Sequence, residues 1–452
     1  MPAFFCLAFF CCFLIPFQGQ ASGRGGLQII RDAEIEKILK LWSEPVIRAA
    51  GLNPAGVKII LVQSTDVNAF VAGGSNIFVY TGLIELTENP GELIGVLAHE
   101  MGHISGGHLI RTRDALERAS YESIAGAILG IGAAIATGDA GAVPALTLGG
   151  SSVAMRRFLA HSRVQEASAD QAALTFLDKA KIDPTGIGSF LDKLKAETLM
   201  PADQQSEYIQ THPILENRLE ALETRINASP YKAAGYPAEW RGQHALIKAK
   251  LLGFINPGQV AWTYDDRDDS LPAQYARTIA AYRNSQVEDS LKRIDALLLR
   301  APENPYFHEL KGQMLLEYGR PNEAVASYRK ALDIQSDAPL IRAALGHALI
   351  ESRYSGPDEE QKKLGEAIHE LERVLKEEPR YALVNRLLAT AYGRLGNTDM
   401  AKVYLAEEAV LQQNFDYARK QAEGVVNSAK PESREWKKAK DVLSYIKSHE
   451  KE

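Results

Sequence analysis

The sequence predicts a mostly helical α+β domain with one small sheet, followed by an all-α helical-repeat region. Two strand-like runs lie among helical segments in the first half. After about Asp265 nearly every segment has helical spacing, and a 34-residue period appears. The polar stretch Asp265–Ser270 separates the two parts. We therefore predict a first domain over residues 22–264, a linker over 265–270 and a repeat region over 271–452.

Composition narrows the functional classes. Apolar residues make up 46% of the 452 residues and charged residues 24%, which is typical of a globular protein and excludes a disordered chain. The chain has 51 Lys and Arg against 57 Asp and Glu, a net charge of −6. Because nucleic-acid binding depends on neutralising phosphates, we expect no nucleic-acid partner.

The amino terminus has the features of an export signal. Residues 3–17 are almost wholly apolar and lead into Gly19-Gln20-Ala21, a small-x-small cleavage pattern. We predict a signal peptide over residues 1–21, although no Lys or Arg precedes Cys6 and a membrane anchor is the alternative. All three cysteines lie within this segment, so the mature chain has neither a disulfide scaffold nor a thiolate metal site.

The spacing of apolar residues predicts the helices and strands of the first domain. Helical spacing over Ile29–Leu52 is followed by two strand-like runs, Val57–Val62 and Asn76–Tyr80, with turn residues suited to a hairpin over 68–74 between them. Asn89-Pro90 opens a further helix, since Pro is well suited to a first helical turn. The spacing predicts later helices over about 158–179 and from about 212 onwards.

Residues 123–155 stand apart because they are rich in Gly and Ala and contain a single charged residue, Asp139. Two interpretations are open, a helical lid packed over a cleft or a segment at a membrane surface. We favour the lid, because the segment lacks the Lys- and Arg-rich polar face of an interfacial helix. At most we expect peripheral membrane contact, since no run after the amino terminus approaches about 20 uninterrupted apolar residues.

The second half repeats small residues at fixed offsets. Gly312 and Gly346 are 34 residues apart, and Ala389 continues the pattern after an insertion of nine residues. Tyr, Gly and Ala recur at further fixed positions of the same unit. The pattern resembles the tetratricopeptide repeat, in which small residues let paired helices touch. We predict roughly four units, with weak first and last copies.

The pattern that carries chemistry is His99-Glu100-Met101-Gly102-His103. On a helix, residues at i and i+4 share a face, so both imidazoles can reach one metal ion. Glu100 lies beside them, where it can take a proton from a metal-bound water. The alternative is a helix with two incidental histidines.

A catalytic metal site needs a third protein ligand from elsewhere. His108 is near in sequence but is half a turn round an unbroken helix from His99, so we expect it to face away and to be dispensable for metal binding. The better candidate is Glu166. Asp170 shares its helix face and can accept the N–H of a liganding imidazole, which would fix that histidine's tautomer. The alternative for this pair is a solvated acidic face.

These motifs together resemble the M48 peptidase family. The residues that carry the resemblance are His99-Glu100-x-x-His103, Arg163-x-x-Glu166-x-x-x-Asp170, Thr211-His212-Pro213 with Arg218, and Asn68-Ala69-Phe70 running to Ile77-Phe78-Val79. With the repeats, the pattern is similar to the periplasmic branch of that family. The resemblance implies a zincin-like (gluzincin) peptidase fold and one zinc ion per chain.

The resemblance also implies roles for individual residues. His99, His103 and Glu166 would bind zinc and Glu100 would be the general base, with His212 and Arg218 completing the catalytic site. His212 would either fill the fourth metal position or donate to the oxyanion. Asn68 and the strand containing Ile77, Phe78 and Val79 would bind the substrate backbone.

The function implied is that of a periplasmic zinc metalloendopeptidase acting on misfolded or stalled outer-membrane or periplasmic proteins. Its repeats would bind such clients, or the outer-membrane protein assembly machinery. The alternative is a chaperone or adaptor for outer-membrane protein assembly whose peptidase site is mostly latent.

Overall fold

The computed structural model describes residues 28–108, 151–201 and 204–449, with side chains from residue 163 onwards in the helix that begins at Ser151. The predicted signal peptide over residues 1–21 and nearly all of the segment 123–155 lie outside the described residues. The described part falls into two compact units, the first ending at Thr263 and the second beginning at Tyr264. No helix among the described residues is long and apolar enough to cross a membrane.

The first unit contains a four-stranded sheet, formed by β1 (Ile29–Ile30), β2 (Lys58–Val62), β3 (Ala69–Ala72) and β4 (Asn76–Tyr80). The strand order in the sheet is β1-β2-β4-β3. β4 pairs in parallel with β2 and antiparallel with β3. The central strands are rich in Ile and Val, which suit a strand buried against helices. One face of β3 packs against the helix that carries the His-Glu motif.

The predicted hairpin differs in detail from the observed sheet. The sequence predicts that residues 68–74 connect two strands, but residues 69–72 are themselves a strand. The turn is shorter: Gly73 and Gly74 both have positive φ, of 58° and 96°, which only glycine adopts readily. The hairpin therefore joins β3 to β4, while β2 lies parallel to β4 on its other side.

Helices cover the sheet and provide most of the core of this unit. They are α1 (Ala33–Ala49), α2 (Thr81–Leu86), α3 (Pro90–Ser105), α4 (Ser151–Ala180), α5 (Thr185–Leu194), α6 (Glu207–Thr211), α7 (Glu216–Ala228), α8 (Ala238–Ile255) and α9 (Val260–Thr263). α3 begins as the sequence predicts, with Pro90 in its first turn and the Asn89 side chain accepting a hydrogen bond from the Glu92 backbone N–H. Its residues from Pro90 to Gly102 are buried, so α3 is the central helix of the unit.

The second unit is all-α. Its helices are α10 (Leu271–Arg283), α11 (Val287–Arg300), α12 (Pro305–Glu317), α13 (Pro321–Ile334), α14 (Pro339–Glu351), α15 (Pro357–Glu377), α16 (Ala382–Arg394), α17 (Thr398–Leu411), α18 (Phe415–Ser428) and α19 (Arg434–His449). Each helix packs mainly on the next one along the chain, as in a solenoid. Gly312 shows why the small positions recur, because a Cβ there would lie 2.8 Å from the Tyr328 ring.

The structure has five helix pairs over residues 271–449, whereas the sequence predicts roughly four units. The weak last copy corresponds to α18 and α19. Ala422 is the eighth residue of α18, as Gly312 and Gly346 are of α12 and α14, so the small position recurs there. The pair buries a continuous apolar cluster against α17, which includes Ala418 and Val442.

Candidate metal centre

The site forms where α3 and α4 cross. Gly102 lies between the two helices, and a Cβ at this position would be 2.7 Å from the carbonyl oxygen of Ala169 and 2.9 Å from its Cα. Such distances are too short for any side chain, so glycine is what permits the close approach. The approach brings Glu166 on α4 to the His99 and His103 side chains on α3.

Four donor atoms converge at this crossing. His99 Nε2 and His103 Nε2 are 3.0 Å apart, and each is 3.3 Å from a carboxylate oxygen of Glu166. His212 Nδ1 lies 3.2 Å from Glu166 Oε2 and 3.3 Å from His99 Nε2. All four donors lie within 4.8 Å of one another.

The donor set fits a metal ion by its chemistry and its spacing. Two or three imidazoles with one carboxylate are typical ligands of a catalytic zinc. Ligands about 2.0–2.1 Å from a tetrahedral ion are about 3.3 Å from one another, close to the separations seen among these atoms. Two further buried atoms, Glu100 Oε1 and His212 Nε2, have no hydrogen-bond partner among the described residues. Since such groups are costly to bury unpaired, they add to the evidence that this cluster could hold a metal ion.

Asp170 and Arg218 support the cluster from behind. Asp170 Oδ1 is 2.9 Å from His99 Nδ1, the contact that the i and i+4 spacing of Glu166 and Asp170 predicts. The Arg218 guanidinium binds Asp170 through two nitrogens and donates to the backbone carbonyl of Pro213 at 2.9 Å. Its Nη1 is also 3.1 Å from Glu166 Oε2. Arg218 therefore positions both carboxylates and the segment carrying His212.

Burial and charge shift the pKa values of the cluster in opposite directions. Burial lowers the pKa of His103 to about 4, so this imidazole is neutral and able to bind a metal. Burial also opposes protonation of His99, but hydrogen bonds to Asp170 and Glu166 outweigh it and raise its pKa to about 10. For Glu166, burial favours the neutral acid, but His212 and Arg218 outweigh it and hold its pKa well below the usual range. A metal ion that bound here would therefore displace a proton from His99.

Glu100 differs from Glu166 in its surroundings. Its side chain is buried, and burial raises its pKa. Its Oε1 lies 3.5 Å from His212 Nε2 and is not among the four convergent donors. A carboxylate with a raised pKa beside a metal site, but outside the ligand set, has the properties of a general base.

His212 is held from several sides. It follows α6, and its backbone N–H donates to the Tyr208 carbonyl at 2.7 Å. The buried Tyr208 ring packs on its imidazole with centroids 4.8 Å apart. The Tyr208 backbone N–H in turn donates to the Val67 carbonyl at 2.9 Å, which ties α6 to the entry of β3. The sequence does not predict a role for Tyr208, since an aromatic residue in a short helix is not part of any recognisable motif.

Asn68 is buried at the entry of β3 rather than exposed to a substrate. Its side-chain amide donates to Glu207 Oε2 at 3.1 Å, and Thr211 Oγ1 lies 3.5 Å from its Oδ1. Both partners belong to α6, the helix that ends at His212. In this arrangement the Asn68 side chain joins the sheet to the His212 segment.

The prediction that the strand containing Ile77, Phe78 and Val79 binds the substrate backbone is wrong. Ile77, Phe78 and Val79 lie on β4, which has a neighbour on each side, so its backbone groups are taken up by β2 and β3. The edge strands of the described sheet are β1 and β3, and of these β3 packs against α3. The sequence does not predict the edge strand, because order within a sheet depends on long-range pairing, which strand-like runs alone do not specify.

The prediction that His108 faces away is also wrong. α3 ends at Ser105, so the helix is not continuous to residue 108. His108 is buried, and its Nδ1 lies 3.0 Å from His103 Nδ1. It is not among the four convergent donors. Two consecutive glycines, Gly106 and Gly107, were the signal that the helix stops there.

Comparison with known proteins agrees with this geometry. Residues 31–226 match peptidase family M48, and residues 275–339 match the tetratricopeptide repeat. The first unit thus contains an M48 peptidase domain, and repeats of this kind follow it. The chain is a metalloendopeptidase.

Among characterised proteins, the chain is similar to the beta-barrel assembly-enhancing protease of Escherichia coli K12, with 25% identity over 411 residues, 87% of this chain and 79% of that protein. It is also similar to the metalloprotease LoiP of the same organism, with 29% identity over 182 residues, 40% of this chain and 66% of that one. Mitochondrial metalloendopeptidase OMA1 of Bos taurus is 30% identical over 184 residues, 39% of this chain and 34% of that protein.

Proposed function

We propose that this chain is an exported, periplasmic zinc endopeptidase that hydrolyses misfolded or stalled outer-membrane or periplasmic proteins. Its repeats would bind these clients or the outer-membrane protein assembly machinery. Two features support the proposal: the M48 domain is joined to tetratricopeptide repeats, and the similarity to a beta-barrel assembly-enhancing protease extends over 87% of the chain.

The observation that carries the enzymatic part is the convergence of His99, His103 and Glu166 beside the buried carboxylate of Glu100. These three ligands would hold one zinc ion per chain. Zinc at such a site supplies a Lewis acid that polarises the scissile carbonyl and lowers the pKa of water.

The chain's own residues then perform the proton transfers. Glu100 takes a proton from the attacking water as the water oxygen bonds to the peptide carbon. It then delivers that proton to the leaving amine nitrogen as the C–N bond breaks. Asp170 holds the His99 imidazole with its Nδ1–H turned away from the ligand cluster. Arg218 keeps Asp170 and Glu166 ionised through its positive charge.

The edge strand β3 is the surface for an extended substrate segment. Tyr80 N–H donates to the Asn68 carbonyl, so Asn68 and Tyr80 form a hydrogen-bonded pair at the start of the β3–β4 ladder. Because hydrogen-bonded pairs alternate in antiparallel strands, the backbone groups of Val71 face away from β4. An added strand would give affinity through the main chain with little sequence preference, which suits unfolded clients.

The direct test uses the purified mature chain, with zinc content measured by mass spectrometry and cleavage of casein as the activity. We expect one zinc per chain and a loss of cleavage of about 100-fold to 10,000-fold in Glu100→Gln, with the zinc retained. His99→Ala should lose both metal and activity. Casein cleavage by Glu100→Gln at the wild-type rate would contradict the assignment of the general base.

A second function is favoured by one observation. His212 Nδ1 lies among the donors, where a catalytic zinc needs an open position for water. With His212 as a fourth ligand the site would be closed, and the chain would act mainly as a chaperone or adaptor until the His212 segment moved. Replacement of His212 distinguishes the two functions.

A further inference from the structure

The segment that follows α3 doubles back on the metal site. Gly106 caps the helix, and Gly107 has a φ of +62°, a left-handed conformation that glycine adopts without strain. This turn returns His108 to the end of the helix, where it is only 4% exposed. The imidazole is therefore held inside the protein beside His103 and is not a surface group.

His108 contacts the side of His103 that faces away from the donor cluster. The two Nδ1 atoms are 3.0 Å apart, with the rings at 79° to each other. His103 Nε2 is the nitrogen that points to His99 and Glu166. For Nε2 to offer its lone pair to a metal, the proton of a neutral His103 must be on Nδ1. His108 Nδ1 is then the acceptor of that proton.

The glycine before the turn makes room for this contact. A Cβ at Gly106 would lie 2.4 Å from His108 Nε2 and 2.8 Å from its Cδ2, so the imidazole rests directly against the Gly106 backbone. Any side chain at residue 106 would push the ring away. The two histidines of the motif thus have separate supports, with Asp170 at His99 Nδ1 and His108 at His103 Nδ1.

We propose that His108 is a positioning residue that fixes the tautomer and orientation of His103 for metal binding, and that Gly106 is required to seat it. The proposal rests on the proposed function only in that a metal binds at the four-donor cluster. His108 supplies no ligand, so its loss should weaken zinc binding without abolishing it. Hydrogen-bond partners of liganding histidines typically contribute about 10-fold to 100-fold in metal affinity.

The test is a chelator-competition titration of zinc on the full mature chain, with folding checked by circular dichroism. His108→Leu removes the acceptor and should raise the zinc Kd about 10-fold to 100-fold. His108→Asn places a side-chain oxygen near the position of Nδ1 and should recover part of that affinity. In zinc-loaded Glu100→Gln, nitrogen-15 NMR should show the His103 proton on Nδ1.

A second test replaces a glycine instead of a histidine, so that the His103 and His108 imidazoles are both retained. Gly106→Ala should weaken zinc binding as His108→Leu does, whereas Gly242→Ala, where a Cβ meets nothing within 4 Å, should not. A folded His108→Leu variant that binds zinc within about twofold of the wild type would overturn the positioning role while the metal site stands. Absence of zinc from the wild type would overturn both the role and the proposed site.

Discussion

The two units of this chain differ in how far apart in sequence their interacting residues lie. In the repeats, each helix packs mainly on the next, and an ion pair between the buried Arg342 and the partly buried Glu370 joins neighbouring helices. In the peptidase domain, His99 meets Asp170 across 71 residues and His212 across 113. The repeats can therefore be identified from local periodicity, whereas the metal site exists only once distant helices have crossed.

The units also differ in what they bury. Around the metal site a single buried cluster contains Glu100, Glu166, Asp170 and Arg218 in addition to its histidines. Repeat helices bury mostly apolar side chains, with small residues such as Gly312 at the contacts. A buried charged group destabilises the fold unless it has a partner or a ligand. The candidate metal site therefore lies in the part of the first domain where the fold is most sensitive to the loss of one group.

The largest expected effect concerns His212. If it fills the fourth metal position at rest, His212→Ala should raise casein cleavage while zinc is retained, because water gains access to the ion. We favour this outcome, since His212 Nδ1 lies 3.3 Å from His99 Nε2 among the donors. If His212 instead stabilises the oxyanion, the same variant should lose about 100-fold in turnover. Steady-state kinetics with metal analysis distinguish the two.

A matched pair of glycine variants compares the two units directly. Gly102→Ala brings a Cβ against the backbone of α4 and Gly312→Ala brings one against the Tyr328 ring. Overpacking of this kind costs about 1–3 kcal/mol in stability. We expect only Gly102→Ala to weaken zinc binding as well, because it separates Glu166 from the histidines. Equal zinc affinity in the two variants would show that the crossing of α3 and α4 tolerates a shift.

Acid should destabilise the peptidase domain through His244. This buried imidazole contacts Thr87 Oγ1 at 2.9 Å, and burial, with the charges of Lys248 and Lys193, lowers its pKa to about 4. Below its unfolded pKa of about 6.5, the unfolded chain binds a proton that the folded chain does not. The contribution of His244 to the free energy of unfolding is therefore fully present above about pH 6.5 and falls by about 3 kcal/mol as the pH is lowered to 4.

Urea unfolding of the peptidase domain across this pH range, with zinc at saturation, measures that loss. His244→Asn should flatten the pH dependence of the free energy of unfolding, and replacement of the exposed His369 by Asn serves as the control. An unchanged slope in His244→Asn would assign the acid sensitivity to other groups.

The smallest expected effect tests the edge strand. Val71→Pro removes an N–H that faces away from β4, and proline is tolerated at such edge positions. Losing one main-chain hydrogen bond to substrate costs about 1 kcal/mol, so kcat/KM for an unfolded protein should fall by up to about tenfold. Val71→Ala keeps the N–H and is the control for the lost side chain. Equal activity of the two variants would place the substrate elsewhere.

The sequence by itself determined the division into two units and the identity of the chemical groups. Asn89-Pro90 predicted the start of α3, and the i and i+4 spacing put His99 and His103 on one face. The 34-residue period predicted the helix pairs that contain Gly312 and Gly346. These features depend on local geometry, in which each residue is constrained mainly by neighbours within about a turn or one repeat.

Only the tertiary structure decided which groups meet. The order of strands placed β3 at an edge of the sheet and enclosed β4 between two neighbours. The break at Gly106 and Gly107 turned His108 back to His103, and the crossing at Gly102 brought Glu166 within reach of both histidines. Sequence spacing specifies neighbours along one element, whereas strand order and helix crossing are set by long-range packing.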